Sequence, residues 1–121
     1  MSPCLSPESY VYVTSNAPLR KLAALNPWAL ISEDEGLTLI LSKDQADKHR
    51  LFYDSSFKRI TLMVHSSLAA VGLTAAVSTA LAKLRISANV VAACYHDHIF
   101  VPEDRAEEAL QALQDLSVEG K

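Results

Sequence analysis

The chain has 121 residues, half of them hydrophobic and 21% charged, and its formal net charge is −3. A chain of this length builds one compact core or two small lobes, and it is too short for two large independent domains. Its basic residues form isolated pairs and no stripe, which argues against a nucleic-acid partner. Because no apolar stretch approaches bilayer length and no N-terminal targeting pattern is found, we expect a cytoplasmic protein without a membrane partner.

The first nine residues (1–9) predict a disordered N-terminal segment, because Pro3 and Pro7 stand there among small polar neighbours. Cys4 falls in this segment, and Cys94 falls in a predicted buried strand, where it would be a small core residue. A disulfide between them would need the tail to reach the core. We therefore expect free thiols and a reducing compartment.

Residues 10–58 predict a first lobe of strands and short helices. Gly36 separates two apolar runs and allows the tight reversal of a hairpin. Ser42 and Gln45 have the spacing for reciprocal capping at the start of a helix, and Pro27 ends an earlier one. The predicted elements are a strand at 10–14, a helix at 18–25, strands at 28–32 and 37–41, and a helix at 43–49.

Residues 59–117 predict a second lobe with longer helices, followed by a tail at 118–121. Apolar residues recur at helical spacing in 68–84, while 88–94 is so apolar that we expect a strand buried on both faces. The remaining elements are strands at 59–65 and 98–101 and a helix from Pro102. The predicted buried faces of the two helices are Leu73, Ala76, Val77, Ala80, Leu81 and Leu84, and Ala106, Ala109, Leu110, Leu113 and Leu116.

The two lobes read as repeats. A shift of 60 residues places LTLILSKDQA (37–46) over DHIFVPEDRA (97–106), strand on strand and helix on helix. The second copy ends with its helix, so its sheet lacks a closing strand. We expect the first strand of one half to supply the missing strand of the other, either within one chain or between two.

The order strand, helix, strand, strand, helix in the second lobe is that of a ferredoxin-like α+β unit. Its sequence VHSSLAAVGLTAAVSTALAKLRISANVVAACYHDHIFVP closely resembles the ACT domains of small tandem-ACT proteins, which are related to regulatory regions of aspartate kinases and to CASTOR arginine sensors. EGLTLIL in the first lobe resembles the same family. The resemblance implies two intertwined ACT lobes of βαββαβ order, with helices on one face of antiparallel sheets.

The resemblance also implies a small-molecule site, usually for an amino acid, between the end of the first strand and the start of the first helix. Backbone N–H groups at a helix start, with serine hydroxyls, suit a carboxylate, and a glycine nearby leaves space. The ammonium group needs acceptors, and Glu33, Asp34 and Glu35 form the densest carboxylate cluster. The implied site residues are His65, Ser66, Ser67, Leu68, Val71 and Gly72, faced by Asn89, Val90 and Val91, with Glu35 from the hairpin.

Several of these residues also have a purely structural interpretation. Ser66 and Ser67 would cap a helix without any ligand, and Gly72 would allow close packing of helix against strand. His96 and His98 alternate along a strand and His65 ends its neighbour, so the three imidazoles form either a polar cluster or, less favoured, a metal site. No cofactor is expected.

We therefore predict a regulatory or sensor protein that binds an amino acid or similar metabolite, forms a homodimer and acts by population shift. Catalysis is not expected, because the strained elbow around a nucleophilic serine is missing. The alternative is a ligand-independent module that assembles with copies of itself or with a partner enzyme.

Overall fold

The computed structural model describes residues 2–63 and 67–119, and in 67–71 and 117–119 it describes the backbone alone. The chain divides into a first unit, Glu8–Ser56, and a second unit formed by Met1–Pro7 and Phe57–Lys121. Both are antiparallel α+β units, which confirms the predicted class. In chain order the elements are β1 Pro3–Ser15, α1 Leu19–Ala23, β2 Ala29–Glu33, β3 Gly36–Ser42, α2 Lys43–Lys48, β4 Phe57–Leu62, α3 Ser67–Lys83, β5 Asn89–Ala92, β6 Asp97–Pro102, a short 3-10 turn Glu103–Arg105, and α4 Ala106–Glu119.

The first unit is a sheet of strand order β2-β3-β1 with two short helices. Helix α1 ends as expected ahead of Pro27, where Asn26 takes a positive φ of 53°. With only five residues, α1 is shorter than predicted and buries one side chain, that of Leu22. The core is completed from the strands and α2, and its buried residues are Val11, Val13, Leu22, Leu39, Leu41 and Ala46.

The start of α2 confirms half of the predicted reciprocal cap. The Ser42 hydroxyl accepts a hydrogen bond from the Gln45 backbone N–H at 3.2 Å. The Gln45 side chain does not return to Ser42; it donates to the Leu25 carbonyl at 3.0 Å. That carbonyl lies two residues after α1 ends, so the amide ties the segment that follows α1 to the start of α2.

The second unit is a sheet of strand order β1-β4-β6-β5, to which β1 contributes its N-terminal part. Met63 N–H donates to the Ser2 carbonyl at 3.1 Å, and Arg59 N–H donates to the Ser6 hydroxyl at 3.3 Å. The predicted disordered segment at 1–9 is therefore wrong from Pro3 onward, and the expected strand exchange occurs within one chain.

Pro3 and Pro7 are compatible with this strand because of their positions in it. The N-terminal part of β1 is an edge of the second unit's sheet, and the Ser2 carbonyl points towards the end of β4. Because backbone groups alternate in direction along a strand, Pro3 and Pro7 are at positions whose nitrogens face away from that ladder. An edge strand tolerates proline in this orientation, because no ladder hydrogen bond is lost.

Strand β5 corrects the prediction of a strand buried on both faces at 88–94. It spans four residues and lies at the opposite edge of the sheet, pairing with β6 alone among the described strands. Val90 is 38% exposed, and Cys94, predicted to be buried, is exposed in the turn that follows. A continuous apolar run is typical of a central strand, but whether a strand is central or at an edge depends on its pairing partners and not on its composition alone.

Helices α3 and α4 cover one face of this sheet. Val77, Leu81, Ala109 and Leu113 are buried against strand residues such as Ile60, as the apolar periodicity predicts. Leu84 is an exception at 38% exposure, because α3 ends one residue before it. None of the described helices has the length and apolar character needed to cross a membrane.

The two helices run antiparallel. The guanidinium Nη2 of Arg105, just before α4, donates to the Leu84 carbonyl, just after α3, at 2.9 Å. The end of α3 and the beginning of α4 therefore lie side by side, near the end of the sheet where β6 stops.

Candidate functional site

One end of the second unit's sheet brings three strand ends together. Leu62, at the end of β4, pairs with Asp97 at the start of β6, which pairs with Ala92 at the end of β5. Residues directly opposite one another on antiparallel strands point to the same face. Leu62 belongs to the core under the helices, so the half-buried Asp97 also points to the helix side of the sheet.

Helix α3 begins at this same end. Ser67 follows soon after Leu62 in the chain, and the far end of α3 is held near the opposite end of the sheet by the bond between Arg105 and Leu84. The first N–H groups of a helix have no partner within it and carry the positive end of the helix dipole. The described residues thus place an acid, Asp97, at the sheet end where α3 presents backbone donors.

The residues predicted around the start of α3 divide into three groups. His65 and Ser66 lie outside the described residues. Ser67, Leu68 and Val71 lie in the first turns of α3, where the backbone alone is described. Gly72 is exposed, and a Cβ built on it would meet no described atom within 4 Å. Close packing of helix against strand is therefore not what requires glycine here, and a role in leaving space for a ligand stays a prediction.

Only some of the residues predicted on the facing strand, β5, lie near this end of the sheet. Val91 lies one pairing row from Asp97, opposite His98, whereas Asn89 lies three rows away, opposite Phe100. Strand β6 separates all of β5 from β4. Val91 and Asn89 pair with residues that point away from the helices, so among the predicted strand residues only Val90, opposite the buried Ile99 and two rows from Asp97, points to the helix side.

Glu35 belongs to the first unit, in the turn between β2 and β3. Its neighbours Glu33 and Asp34 are also exposed, and the Glu33 carboxylate accepts a hydrogen bond from the Thr38 hydroxyl at 2.5 Å. Gly36 makes the turn possible with a φ of 146°, as the sequence indicates. One member of the predicted carboxylate cluster is thus used within its own hairpin.

His96 and His98 approach each other, with ring centroids 6.2 Å apart in an edge-to-face arrangement. His98 Nδ1 lies 2.9 Å from the Thr61 hydroxyl, on the face opposite the helices. Burial lowers the pKa of His98, the charges of Arg59 and His96 lower it further, and Asp97 acts in the opposite direction. No cluster of three or more metal-binding side chains is found within 2–63 and 67–119. The three-histidine hypothesis includes His65 and thus extends outside these residues.

Two residues of this sheet end were missed by sequence reasoning, Asp97 and Thr61. Asp97 lies just outside the strand predicted at 98–101, yet it alternates with Ile99 and Val101, both buried under the helices. Reading 97–101 as one alternating strand would have placed Asp97 on the helix side. Thr61 alternates with Ile60 and Leu62, so it faces away from the helices, towards His98.

Two protein-family models, both described as ACT domain, match residues 1–58 and 54–115. Together they confirm the predicted duplication and the resemblance drawn from the sequence. No curated protein matches the chain.

Solved structures extend this comparison. A protein of unknown function from Vibrio cholerae, described as a possible transport protein, is 49% identical, with coverage of 94% of this chain and 88% of that chain and a TM-score of 0.88. The regulatory subunit of aspartate kinase from Thermus thermophilus is 12% identical, with coverage of 93% and 94% and a TM-score of 0.69. Aspartokinase III from E. coli, in complex with aspartate and ADP, is 14% identical, with coverage of 93% and 32% and a TM-score of 0.66.

Proposed function

The chain belongs to the ACT domain family, and we propose that it is a regulatory sensor that binds an amino acid and has no catalytic activity of its own. ACT domains like those of aspartate kinase regulatory regions suggest a ligand-binding regulatory role, and isolated ACT domains are typically non-catalytic. The amino acid as ligand class is our inference from the chemistry of one sheet end.

The observation that carries the proposal is the position of Asp97 beside the start of α3. An amino acid presents a carboxylate and an ammonium group two bonds apart on one carbon. Backbone N–H groups at a helix start favour the carboxylate, and a half-buried aspartate favours the ammonium group. One sheet end thus offers partners for both charges.

We assign the site residues accordingly. The carboxylate is received at the start of α3 by Ser66, Ser67 and neighbouring backbone, and the ammonium group by Asp97. The ligand side chain lies in the space beside Gly72, and Val90 is the predicted strand residue on the same side of the sheet. Of the other predicted residues, His65, Leu68 and Val71 are proposed to line the same site.

Calorimetry with the full chain and each of the twenty amino acids tests the proposal. We expect heat with one amino acid or a chemically close group, and a rise in thermal stability as that ligand is added in excess. Asp97→Asn should weaken binding about 10- to 100-fold, because a charge-assisted hydrogen bond is lost. Asp104→Asn, which neutralises an exposed acid of the same unit, is the matched control and should bind like wild type.

Two outcomes contradict different parts of the proposal. Absence of heat and of thermal stabilisation with every amino acid would sink the sensor hypothesis. Normal binding by Asp97→Asn would leave the sensor in place but remove Asp97 from its site.

The sensor is further proposed to be a cytoplasmic homodimer in which the ligand favours one of two arrangements by binding it more tightly. The exposure of two free cysteines, Cys4 and Cys94, supports a reducing compartment. Rapid labelling of two thiols per chain in protein purified without reductant is the expected result.

A second candidate is the ligand-independent assembly module, alone or with a metabolic enzyme. The observation in its favour is the exposed but uncharged surface of α3, described below. Gly72→Val distinguishes the two hypotheses, because it fills the proposed ligand space without meeting described atoms. If the protein is a sensor, the variant should bind amino acid more weakly. If the protein only assembles, the variant should form the same assembly as wild type.

A further inference from the structure

Helix α3 has an unusual surface for an exposed helix. No charged residue occurs from Ser67 to Ala82, yet Ala75 and Thr79 are exposed. Helix α4 follows the common pattern, with glutamate, glutamine and aspartate on its outer face. A helix that is apolar or neutral all round is normally covered, so the outer face of α3 indicates a contact surface.

Beside this face lies an open groove of about 650 Å³ between α3 and α4. Most of its lining is small or apolar, so the backbones of another helix can approach closely. The two charged side chains on its border are Lys83, from α3, and Asp115, from α4. We name it the α3–α4 groove, and its small and apolar lining includes Ala75, Ala76, Thr79, Ala80, Ala112 and Leu116.

The two charges lie at opposite ends of this groove. Lys83 stands at the end of α3, which the Arg105 bond to Leu84 holds next to the beginning of α4. Asp115 is ten residues beyond Arg105, or about 15 Å along the axis of a helix. Neither Lys83 nor Asp115 takes part in the salt bridges found among the described residues, and Asp115 accepts only a hydrogen bond from Gln111 at 2.9 Å within that set.

We infer that the α3–α4 groove is the surface through which two copies of this chain associate about a twofold axis. A twofold contact requires a surface complementary to itself, in which residue i meets residue j of the partner and j meets i. A neutral centre with a cation at one end and an anion on the opposite wall at the other end meets this requirement. Lys83 of each copy then faces Asp115 of the other, twice per dimer.

The composition of the groove agrees with this assignment. The cores of protein interfaces are depleted in charge, and charged residues concentrate at their rims, where they set orientation. The inference rests on the homodimer in the proposed function, but it is independent of ligand binding and of the site at Asp97.

Sedimentation equilibrium of the full chain and of charge-reversed variants tests the inference. Wild type should form dimers, and Lys83→Asp or Asp115→Lys alone should raise the dimer dissociation constant about tenfold or more, because each reversal creates two like-charge contacts. The double variant Lys83→Asp/Asp115→Lys restores opposite charges and should return to within about threefold of wild type. Glu107→Lys, on the outer face of α4, should have no effect.

A charge in the centre of the groove gives a second, larger test. Thr79→Glu should raise the dissociation constant about 100-fold, since an unpaired carboxylate would be buried on association. Ser78→Glu is the matched control, because it is exposed on the same helix about 100° away, outside the groove. Both sites are exposed, so thermal unfolding of the two variants should agree when both are monomeric.

The outcomes are distinguishable. A wild-type chain that stays monomeric would overturn both the homodimer and this surface. A dimer that tolerates Thr79→Glu and both single reversals would retain the homodimer and overturn the surface. Amino-acid binding measured on the same variants reports separately on the proposed function.

Discussion

The two units follow one order of strands and helices, but the helix after the first strand has five residues in the first unit and 17 in the second. In the second unit, two long helices supply the helix side of the core through residues such as Val77, Leu81 and Leu113, which pack on the sheet. In the first unit, one buried leucine of α1 is supplemented by partly buried residues of connecting segments, including Leu25, Leu51 and Tyr53. The comparison teaches that the same topology can be held by helix packing or by anchored loops.

Polar contacts strengthen this anchoring in the first unit. The Tyr53 hydroxyl donates to Asp47 at 2.6 Å, and Lys43 forms a salt bridge with the same carboxylate at 3.0 Å. The bond from Tyr53, and then that from Lys43, lower the pKa of Asp47. Because these groups are exposed, water and salt weaken their attraction, so we expect them to fix the loop rather than dominate stability.

The largest expected effect separates the two cores. Leu81→Ala should reduce the free energy of unfolding by about 4 kcal/mol, since it empties a fully buried site between packed helices. Leu22→Ala should cost about 2 kcal/mol, because the surrounding loops can collapse into the space. Urea unfolding measures both, and Leu19→Ala, 59% exposed on the same helix as Leu22, should change little. Equal costs for the two leucines would contradict the comparison.

Replacing glycine by alanine should give the next largest change in the free energy of unfolding, with opposite signs in the two units. Gly36→Ala should destabilise the first unit by about 2 kcal/mol, because φ is 146° and a Cβ would lie 2.6 Å from Asn16 Oδ1. Thermal and urea unfolding should both register the loss. Unchanged stability would mean that the hairpin can relax to another turn.

In the second unit, Gly72→Ala should stabilise the protein by about 0.5–1 kcal/mol. The added methyl group meets no described atom, and alanine loses less backbone entropy than glycine inside a helix. A rise in the unfolding midpoint without ligand is the expected result. A loss of stability would show that Gly72 faces a contact outside the described residues.

The smallest effect concerns pH. The pKa of His98 is lowered in the folded protein from an ordinary value of 6.5, so the unfolded chain binds the proton first as pH falls. The contribution of His98 to stability is thus unchanged above pH 6.5 and decreases below it. Urea unfolding at pH 7.5 and 5.5 should show a smaller pH dependence for His98→Gln than for wild type, whereas exposed His49→Gln should resemble wild type.

Much of the fold could be predicted from the sequence, because it depends on local signals. Gly36 required a turn, Ser42 capped α2, and the apolar periodicity of 68–84 reported the face of α3 that is buried. Edge positions could not be predicted in this way. The apolar run at 88–94 is compatible with a central or an edge strand, and only pairing partners distant in sequence decide between them.

The candidate site shows the same limit. The resemblance indicated the start of α3, which depends on a local motif, but Asp97 lies at the same end of the sheet through its pairing with Leu62, 35 positions earlier. Pro3 and Pro7 likewise predicted disorder, but in the structure their segment is an edge strand beside β4. Where a side chain acquires its role from a partner strand, the local pattern is insufficient.

The division of β1 between the two units has a consequence for synthesis and inheritance. The residues Pro3–Pro7 are synthesised some 50 residues before their hydrogen-bonding partner β4. Their ladder therefore closes a long loop, a step that slows folding. Cutting the gene between the repeats would leave the later half without an edge strand, so descendants of this duplication should be retained, lost or transferred as a pair.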